Sequence, residues 1–276
     1  MTKRLDEQTI RFVKAHAYGN DFLYVERNAV DGIPLDRLAR QLCDRHTGIG
    51  ADGLIVYSRT PDGATMSLLN ADGGLAEVSG NGLRGLAAWL LRDDERPGAG
   101  ITIRTDAGDK PLVRTASTPD GRQTFRAAMG TPSTAQEVSL TAAGESLRPI
   151  IVTIGNPHCV LLEPLPDEER FRRLGAALER HPSFSNGTNV EFVHVEAPQR
   201  VRILIWERGC GPTQSSGTGS CASLVAAAAF GGAARDAEVV APGGTQRVEW
   251  LDDAVYLTGW AELLCEGEWL RPLGDK

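Results

Sequence analysis

The sequence lacks the features of a nucleic-acid-binding or membrane-spanning protein. Its 276 residues carry 29 Lys and Arg against 36 Asp and Glu, a formal net charge of -7. Neither nucleic acid nor an anionic membrane is therefore expected as a partner. The longest apolar run, near Leu224 to Ala234, is short and broken by glycine, and the first ten residues are too polar for a signal peptide. We expect a cytoplasmic protein.

Cysteine is also scarce. The five cysteines are odd in number and show no zinc-ligand spacing, so neither a disulfide framework nor a metal site is predicted. Two of them, Cys210 and Cys221, flank a glycine-rich loop, and we expect both to be small buried hydrophobic side chains. Hydrophobic residues make up 41% of the chain and charged residues 24%, which is ordinary for a globular protein.

What the sequence does contain is a duplicated loop. The segment from Glu77 to Leu91 reads E-V-S-G-N-G-L-R-G-L-A-A-W-L-L, and the segment from Trp206 to Phe230 reads W-E-R-G-C-G-P-T-Q-S-S-G-T-G-S-C-A-S-L-V-A-A-A-A-F. Each places Ser-Gly-x-Gly before an apolar helix. Ser79 and Ser216 are 137 positions apart, about half of the chain.

Other landmarks repeat in the same order at nearly the same offset. Gly19-Asn20 corresponds to Gly155-Asn156, and Arg45-His46 corresponds to Arg180-His181. We interpret the chain as two homologous halves of an α/β (α+β) fold, each a curved, mostly antiparallel sheet around one buried central helix. The segment from about Thr115 to Gly144, rich in Ser, Thr, Pro and Gly, is the best candidate boundary, which gives halves of 1–122 and 123–265 with the active site in the cleft between them.

Local patterns predict the individual elements. Strands are expected at Ile10 to Val13, Phe22 to Val25, Leu54 to Tyr57, Met66 to Leu69, Ile101 to Thr105, Pro111 to Val113, near Phe125, and at Ile150 to Ile154, Val190 to Val195 and Val201 to Trp206. A helix is expected from Pro34 to near Arg45-His46 and another, carrying Phe171, Leu174 and Leu178, to Arg180-His181.

The helix after Ser216 has no polar face, which is typical of a helix enclosed by a sheet. Its N-terminus, with unpaired N–H groups and partial positive charge, then points out of the core, and a glycine loop lets a carboxylate approach the backbone closely. If the two halves face each other, Ser79 and Ser216 address opposite sides of one small ligand. Such a pair suits racemisation or epimerisation α to a carboxylate, where the developing negative charge needs strong stabilisation.

Eight segments together resemble the diaminopimelate epimerase family. They are H-A-Y-G-N-D-F, R-H-T-G-I-G-A-D-G, N-A-D-G-G, S-G-N-G-L-R, G-N-P-H-C, G-T-N-V-E-F, E-R-G-C-G-P-T and S-S-G-T-G-S-C-A. The resemblance implies an isomerase that converts LL- to meso-diaminopimelate in lysine and cell-wall precursor biosynthesis, with no pyridoxal phosphate, other cofactor or metal. It also implies a homodimer, a small amino-acid substrate, and a last strand, within 266–276, that returns to the N-terminal half.

The resemblance also implies the site residues. His158 and Glu207 match the groups that partner the family's first and second catalytic cysteine, at the positions of Ser79 and Ser216. The substrate-contacting positions are Asn20, Asn70, Asn156, Asn189, Glu207 and Arg208, with loop contacts from Gly80, Asn81, Gly217 and Thr218.

The chain departs from the family where Ser79 and Ser216 replace the two cysteines. A thiol, with a pKa of about 8.5, becomes a thiolate easily, whereas a hydroxyl needs an adjacent base. We therefore expect a poor epimerase as the sequence stands, whether the serines are a deliberate double Cys→Ser change or a natural variant. Gly53 and Gly74 replace polar side chains of family members, so recognition of the far end of the substrate is expected to differ.

Three alternatives stay open. One is an isomerase or lyase of the same fold that uses His158 or Glu207 for proton transfer at a single site. Another is a non-catalytic amino-acid-binding protein in which the serines only cap helices. The weakest is a serine hydrolase, because neither loop reads G-x-S-x-G and no Asp is evidently placed to orient His158.

Overall fold

The computed structural model describes residues 9–76 and 78–270. Residues 1–8 and 271–276, which the sequence assigned to the N-terminal half, lie outside the described residues, as does Glu77 at the start of the first duplicated segment. The first half contains β1 (Ile10–Ala17), β2 (Asn20–Glu26), a 3-10 helix (Arg27–Val30), α1 (Leu35–Cys43), β3 (Gly53–Thr60), β4 (Gly63–Asn70), β5 (Leu75–Ala76), α2 (Gly80–Leu90), β6 (Gly100–Thr105), β7 (Gly108–Ser117) and β8 (Arg122–Gly130).

Three short strands connect the halves, and the second half follows. The connecting strands are β9 (Gln136–Glu137), β10 (Leu140–Ala142) and β11 (Glu145–Leu147). The second half contains β12 (Ile150–Ile154), β13 (Asn156–Leu162), α3 (Glu168–Glu179), β14 (Asn189–Ala197), β15 (Arg200–Glu207), β16 (Gly211–Thr213), α4 (Gly217–Phe230), β17 (Asp236–Ala241), β18 (Gly244–Trp250) and β19 (Val255–Trp269).

The two halves repeat one topology. In the first half, β2 and β3 are parallel across the α1 connection, and β4 and β6 are parallel across α2. In the second half, β13 and β14 are parallel across α3, and β15 and β17 are parallel across α4. The other strand pairings that the structure describes are antiparallel. The predicted pair of mostly antiparallel α/β halves is confirmed.

The long strand β19 belongs to both halves. It begins beside β18 and β8, with Val255 opposite Trp250 and Gly130, and it ends beside β1, with Trp269 opposite Ile10. Because β1 also pairs with β2, and β8 with β7, the first-half sheet closes around α2. Closure leaves these strands without free edges.

Helices α2 and α4 form the centres of the two halves. Every residue of α4 from Gly217 to Ala227 is buried, as is every residue of α2 from Gly80 to Ala88. Their apolar side chains pack into one hydrophobic cluster that includes strands of both halves. Full burial of a leucine or valine is worth about 2 kcal/mol, so this shared core holds the halves together. Within the described part of the chain, no helix is long and apolar enough to cross a membrane.

Two local predictions differ from the structure. Helix α1 ends at Cys43 rather than near Arg45-His46, because the Asp44 carboxylate accepts bonds from the backbone N–H groups of His46 and Thr47 (2.8 and 2.5 Å) and turns the chain. Strand β13 was not predicted, since its second residue is Pro157. That position tolerates proline near a strand's start, where a missing N–H costs little.

Candidate active site

The two duplicated loops have the same structure. Ser79 is the N-cap of α2 (φ -128°, ψ 121°), and its Oγ accepts a hydrogen bond from the backbone N–H of Gly82 at 3.2 Å. Ser216 is the N-cap of α4 (φ -136°, ψ 127°), and its Oγ accepts from Gly219 N–H at 3.1 Å. Capping is the usual role of serine at this position. The equivalence of the two caps follows from the equivalence of the two sequences.

The two helix N-termini meet directly. A Cβ placed on Gly217 would lie 2.8 Å from the Cα of Gly80, and a Cβ on Gly80 would lie 3.1 Å from the Cα of Gly217. No side chain fits between the two loops, so glycine is required at both positions. The partial positive charges of two helix ends are therefore directed to one region.

A cavity of about 370 Å³ opens at this region, between the halves. Seven of the predicted site residues line it: Asn20, Asn70, Ser79, Asn156, Asn189, Glu207 and Arg208. The other predicted residues, which are buried behind the cavity wall, are Gly80, Asn81, His158, Ser216, Gly217 and Thr218. Ser79 thus lies on the cavity surface, whereas Ser216 is 6% exposed.

Asparagine side chains connect the loops to the cavity wall. Asn81 donates to the side-chain oxygen of Asn20 at 3.0 Å, and Asn156 donates to the backbone oxygen of Val78 at 3.2 Å and to the hydroxyl of Thr218 at 3.4 Å. Asn156 therefore joins the first loop to the second. These contacts fix the side chains before any ligand binds, which reduces the cost of ordering them.

His158 is completely buried and paired with an acid that the sequence reasoning missed. Its Nδ1 lies 2.8 Å from Oε1 of Glu191, which is also completely buried. No Asp was found to orient His158, but Glu191 does so from β14. The signal was available in G-T-N-V-E-F, because Glu191 and Asn189 are two apart on one strand and share a face. Among the described residues, His158 Nε2 has no hydrogen-bond partner.

Glu207 and Arg208 end β15 at the cavity. Burial, and then the nearby negative charge of Asp52, raise the pKa of Glu207 to about 7. The Arg208 backbone N–H donates to the Asn189 side-chain oxygen at 2.9 Å, and its guanidinium donates to the backbone oxygen of Asn186 at 3.2 Å. A carboxyl group that titrates near neutral pH can exchange protons with a ligand.

Comparison with known proteins agrees with this geometry. The model of the family described as diaminopimelate epimerase matches residues 12–134 and 150–264. The chain belongs to the diaminopimelate epimerase family. The relatives include the diaminopimelate epimerase of Desulforudis audaxviator, 39% identical over 95% of this chain and 100% of that protein, and that of Desulfitobacterium hafniense, 36% identical over 94% and 97%.

Solved structures with little sequence similarity share the fold of this family. A hydroxyproline epimerase from Agrobacterium vitis, solved with trans-4-hydroxy-L-proline, has a TM-score of 0.76 at 15% identity and covers 98% of this chain and 96% of its own. A probable proline racemase from Agrobacterium radiobacter K84 has a TM-score of 0.75 at 16% identity, with 94% and 92% covered. The protein is an isomerase of the amino-acid epimerase class.

Two carboxylates and one arginine beside the cleft were also missed from the sequence: Asp21, Asp52 and Arg45. Asp52 accepts from the Asn20 amide at 2.8 Å and from the Asp21 backbone N–H at 3.0 Å, and Arg45 bridges the carboxylates of Asp21 and Asp52. Burial alone would raise the pKa of Asp21, but hydrogen bonds from Arg45 and Lys14 lower it. Both Arg45 and Asp52 line the cavity.

The prediction that Cys210 is buried is wrong. Cys221 is buried in α4, but Cys210 is exposed and lines the cavity. It sits in the turn after β15 between Gly209 (φ +78°) and Gly211 (φ +80°), a backbone that carries it outward from the sheet. The flanking Gly209, Gly211 and Pro212 are turn-forming residues, so the sequence did contain a signal for this turn.

Proposed function

We propose that this protein acts on diaminopimelate as a cofactor-independent epimerase, inverting one α-carbon between the LL and meso forms. The observation that carries the proposal is the direct meeting of two Ser-capped helix N-termini at one cleft. The substrate assignment is supported by the curated relatives, which are named diaminopimelate epimerase at 34–39% identity. Epimerisation requires groups on both faces of one carbon, and the repeated loops supply them.

The proposed reaction starts with the substrate's α-carboxylate against the backbone N–H groups that begin α2 and α4. The side chain at the cap of one loop removes the α-proton, and the electron pair of the broken C–H bond is delocalised into the carboxylate group. The two helix ends stabilise that added negative charge, which is needed only once the proton has left. The other loop then delivers a proton to the opposite face, forming the new C–H bond with inverted configuration.

The proposal assigns the two proton positions to Ser79 and Ser216. A hydroxyl is a weak acid, so each needs a base nearby. The Glu191-His158 pair and Glu207 are the candidate bases, as groups that can hold a proton close to the loops. Since neither hydroxyl reaches the acidity of a thiol, turnover of the chain is expected to be far slower than with cysteine at these positions.

The far end of the substrate carries a second ammonium and a second carboxylate. The cavity offers both charges to such a group, with Arg45 and Arg208 as cations and Asp52 as a carboxylate. Asn70 and Asn189 add amide groups that can donate or accept. We therefore place the reacting carbon at Ser79 and the far end toward Arg208.

The test is α-proton exchange of LL-diaminopimelate in deuterated water, followed by NMR, with the chain and with its Ser79→Cys/Ser216→Cys variant. We expect the variant to exchange the α-proton and form the meso isomer, and the parent chain to do so at least about a hundredfold more slowly. A folded double-cysteine variant that binds diaminopimelate without exchanging its α-proton would overturn the proposal. Formation of a product of different connectivity would favour a lyase or other isomerase instead.

A further inference from the structure

The side chain of Arg84, in the middle of α2, is completely buried behind the two loops. Its Nη2 donates to the side-chain oxygen of Asn81 and, at 2.9 Å, to that of Gln246 on β18. Among the described residues, its Nε and Nη1 have no hydrogen-bond partner. The guanidinium thus spans the two halves with part of its donor capacity unused.

Arg84 is the centre of a polar network that reaches both loops. On the first side, Asn81 donates onward to Asn20 in the cavity wall at 3.0 Å. On the second side, the Gln246 amide donates to the Ser215 hydroxyl at 3.0 Å and to Ser220 at 3.3 Å. Ser220 in turn donates to the backbone oxygen of Ser216 at 2.8 Å, so the chain of contacts ends at the second cap.

The positive charge of Arg84 has no counter-ion in the described part of the chain, 9–76 and 78–270. Within the described residues it forms no ion pair, and its titratable neighbours are Tyr18, Tyr24 and Cys221. Burial raises the pKa of all three, that of Cys221 to about 12, so they are neutral at pH 7. Burial lowers the pKa of Arg84 itself to about 10, which still leaves it charged. Lys110 is the second cation that acts on Cys221.

Stability does not explain such a residue. An isolated buried cation is costly, and apolar replacements of buried charged groups are often neutral or stabilising. A buried positive charge does favour negative charge placed nearby, however, and the low dielectric of the interior strengthens that effect. The negative charge of the proposed reaction develops at the helix ends that this network supports.

We propose that Arg84 is a positioning residue of the active site, which ties the Ser79 and Ser216 loops together and stabilises negative charge between their two helix N-termini. The inference rests on the proposed function for the identity of that negative charge. The effect on charge can be measured without any turnover.

The experiment uses a thiol at each cap as a local probe. The pKa of the thiol in Ser79→Cys, and separately in Ser216→Cys, is obtained from the pH dependence of its alkylation by iodoacetamide, followed by peptide mass spectrometry. The parent chain, alkylated in parallel, gives the contribution of the five native cysteines. Each probe is then combined with Arg84→Met, which keeps most of the volume without the charge, and with Arg84→Lys, which keeps the charge without the planar fork.

We expect Arg84→Met to raise the pKa of both thiols by about one unit, a roughly tenfold loss of thiolate at fixed pH, and Arg84→Lys to restore most of it. The matched control is Arg114→Met. Arg114 is also a buried arginine, but its guanidinium binds the backbone oxygen of Leu91 at the opposite end of α2, so it should not change either thiol pKa.

Thiol pKa values that are unchanged in folded Arg84→Met, with folding checked by circular dichroism, would overturn the inference. An equal rise in Arg84→Met and Arg84→Lys would also overturn it, since a purely structural effect would not follow the charge. If Arg84→Met does not fold, Arg84→Gln, which also removes the charge, takes its place: a rise of about one unit in the thiol pKa relative to the single-cysteine protein supports the charge effect, and an unchanged pKa contradicts it. Failure of the proposed function would instead appear as absent epimerase activity with the Arg84 effect intact.

Discussion

At the scale of single residues, the site depends on ionisable groups that are shielded from water. Glu207 keeps its proton to higher pH than in the unfolded chain, where its pKa is 4.5, because the folded pKa is about 7. Between these values the folded state binds more protons than the unfolded state, so stability falls as pH rises through the window and levels off above about pH 7. Below about pH 4 Glu207 is protonated in both the folded and the unfolded state, so it contributes nothing to the pH dependence of stability.

Replacement of Glu207 by glutamine should remove this pH dependence. We expect Glu207→Gln to be more stable than the parent at pH 8 by at least about 1 kcal/mol, with the difference nearly gone at pH 4. Urea unfolding of both proteins at the two pH values measures it. A difference that is the same at both pH values would show that the carboxyl titrates normally.

Residue-scale features were the hardest to predict from the sequence. The candidate residues were found because they sit in duplicated or family-like segments, but their partners were not. Glu191 meets His158 across two strands, and Arg84 meets Gln246 from 162 positions away along the chain. Such pairs depend on strand register and on which face points inward, and a single sequence fixes neither. The prediction for Cys210 failed for a different reason, because the turn residues Gly209 and Gly211 on either side of it were given too little weight.

At the scale of elements, Ser79 and Ser216 act as equivalent helix caps whatever their chemical role. We expect Ser79→Ala and Ser216→Ala each to lower the free energy of unfolding by about 1 kcal/mol, because each frees one backbone N–H of the first turn. The measurement is denaturant unfolding. The matched control lies in the same helix: the buried Ser223 hydroxyl has no partner among the described residues, so Ser223→Ala should be neutral or stabilising. Destabilisation by Ser223→Ala as large as that by Ser216→Ala would contradict the capping account.

The contact between the two helix ends gives a second prediction at this scale. A methyl group on Gly217 would meet the Gly80 backbone at 2.8 Å, so Gly217→Ala should separate the loops, destabilise the protein by about 1–3 kcal/mol and abolish α-proton exchange in the double-cysteine variant. Gly100 is the control, because an added Cβ there meets only ordinary contacts at 3.5 Å or more. Gly100→Ala should retain exchange. Full exchange in Gly217→Ala would show that the close approach is dispensable.

Elements were more predictable than residues. Periodicity and caps located α1 through α4, and apolar runs located ten of the nineteen described strands within a few residues. Strand β13 was missed because Gly-Asn-Pro-His is typical of a turn, and only pairing with β12 and β14 makes it a strand. The end of α1 was displaced by the Asp44 turn, a side-chain effect that competes with apolar periodicity.

At the scale of the whole molecule, the repeat fixes the architecture and β19 joins the halves. The shared strand and the packing of α2 against α4 predict that the two halves unfold together. We expect a single calorimetric transition whose van't Hoff enthalpy equals the calorimetric enthalpy. Two resolved transitions would mean that each half is stable alone. The repeat was visible in the sequence from landmark spacing. The return of a last strand to the first half was implied only by the family resemblance, and the pairing of β19 with β8 from Val255 onward was not predicted.

The central claim is that the two loops address opposite faces of one α-carbon, and single restoration of cysteine tests it most directly. In deuterated water, Ser79→Cys and Ser216→Cys should each exchange the α-proton of a different isomer, one of LL- and the other of meso-diaminopimelate, with little inversion. The double variant should exchange and invert both. If either single variant exchanged both isomers equally, or if both exchanged the same one, the two loops would not act on opposite faces and the account would be contradicted.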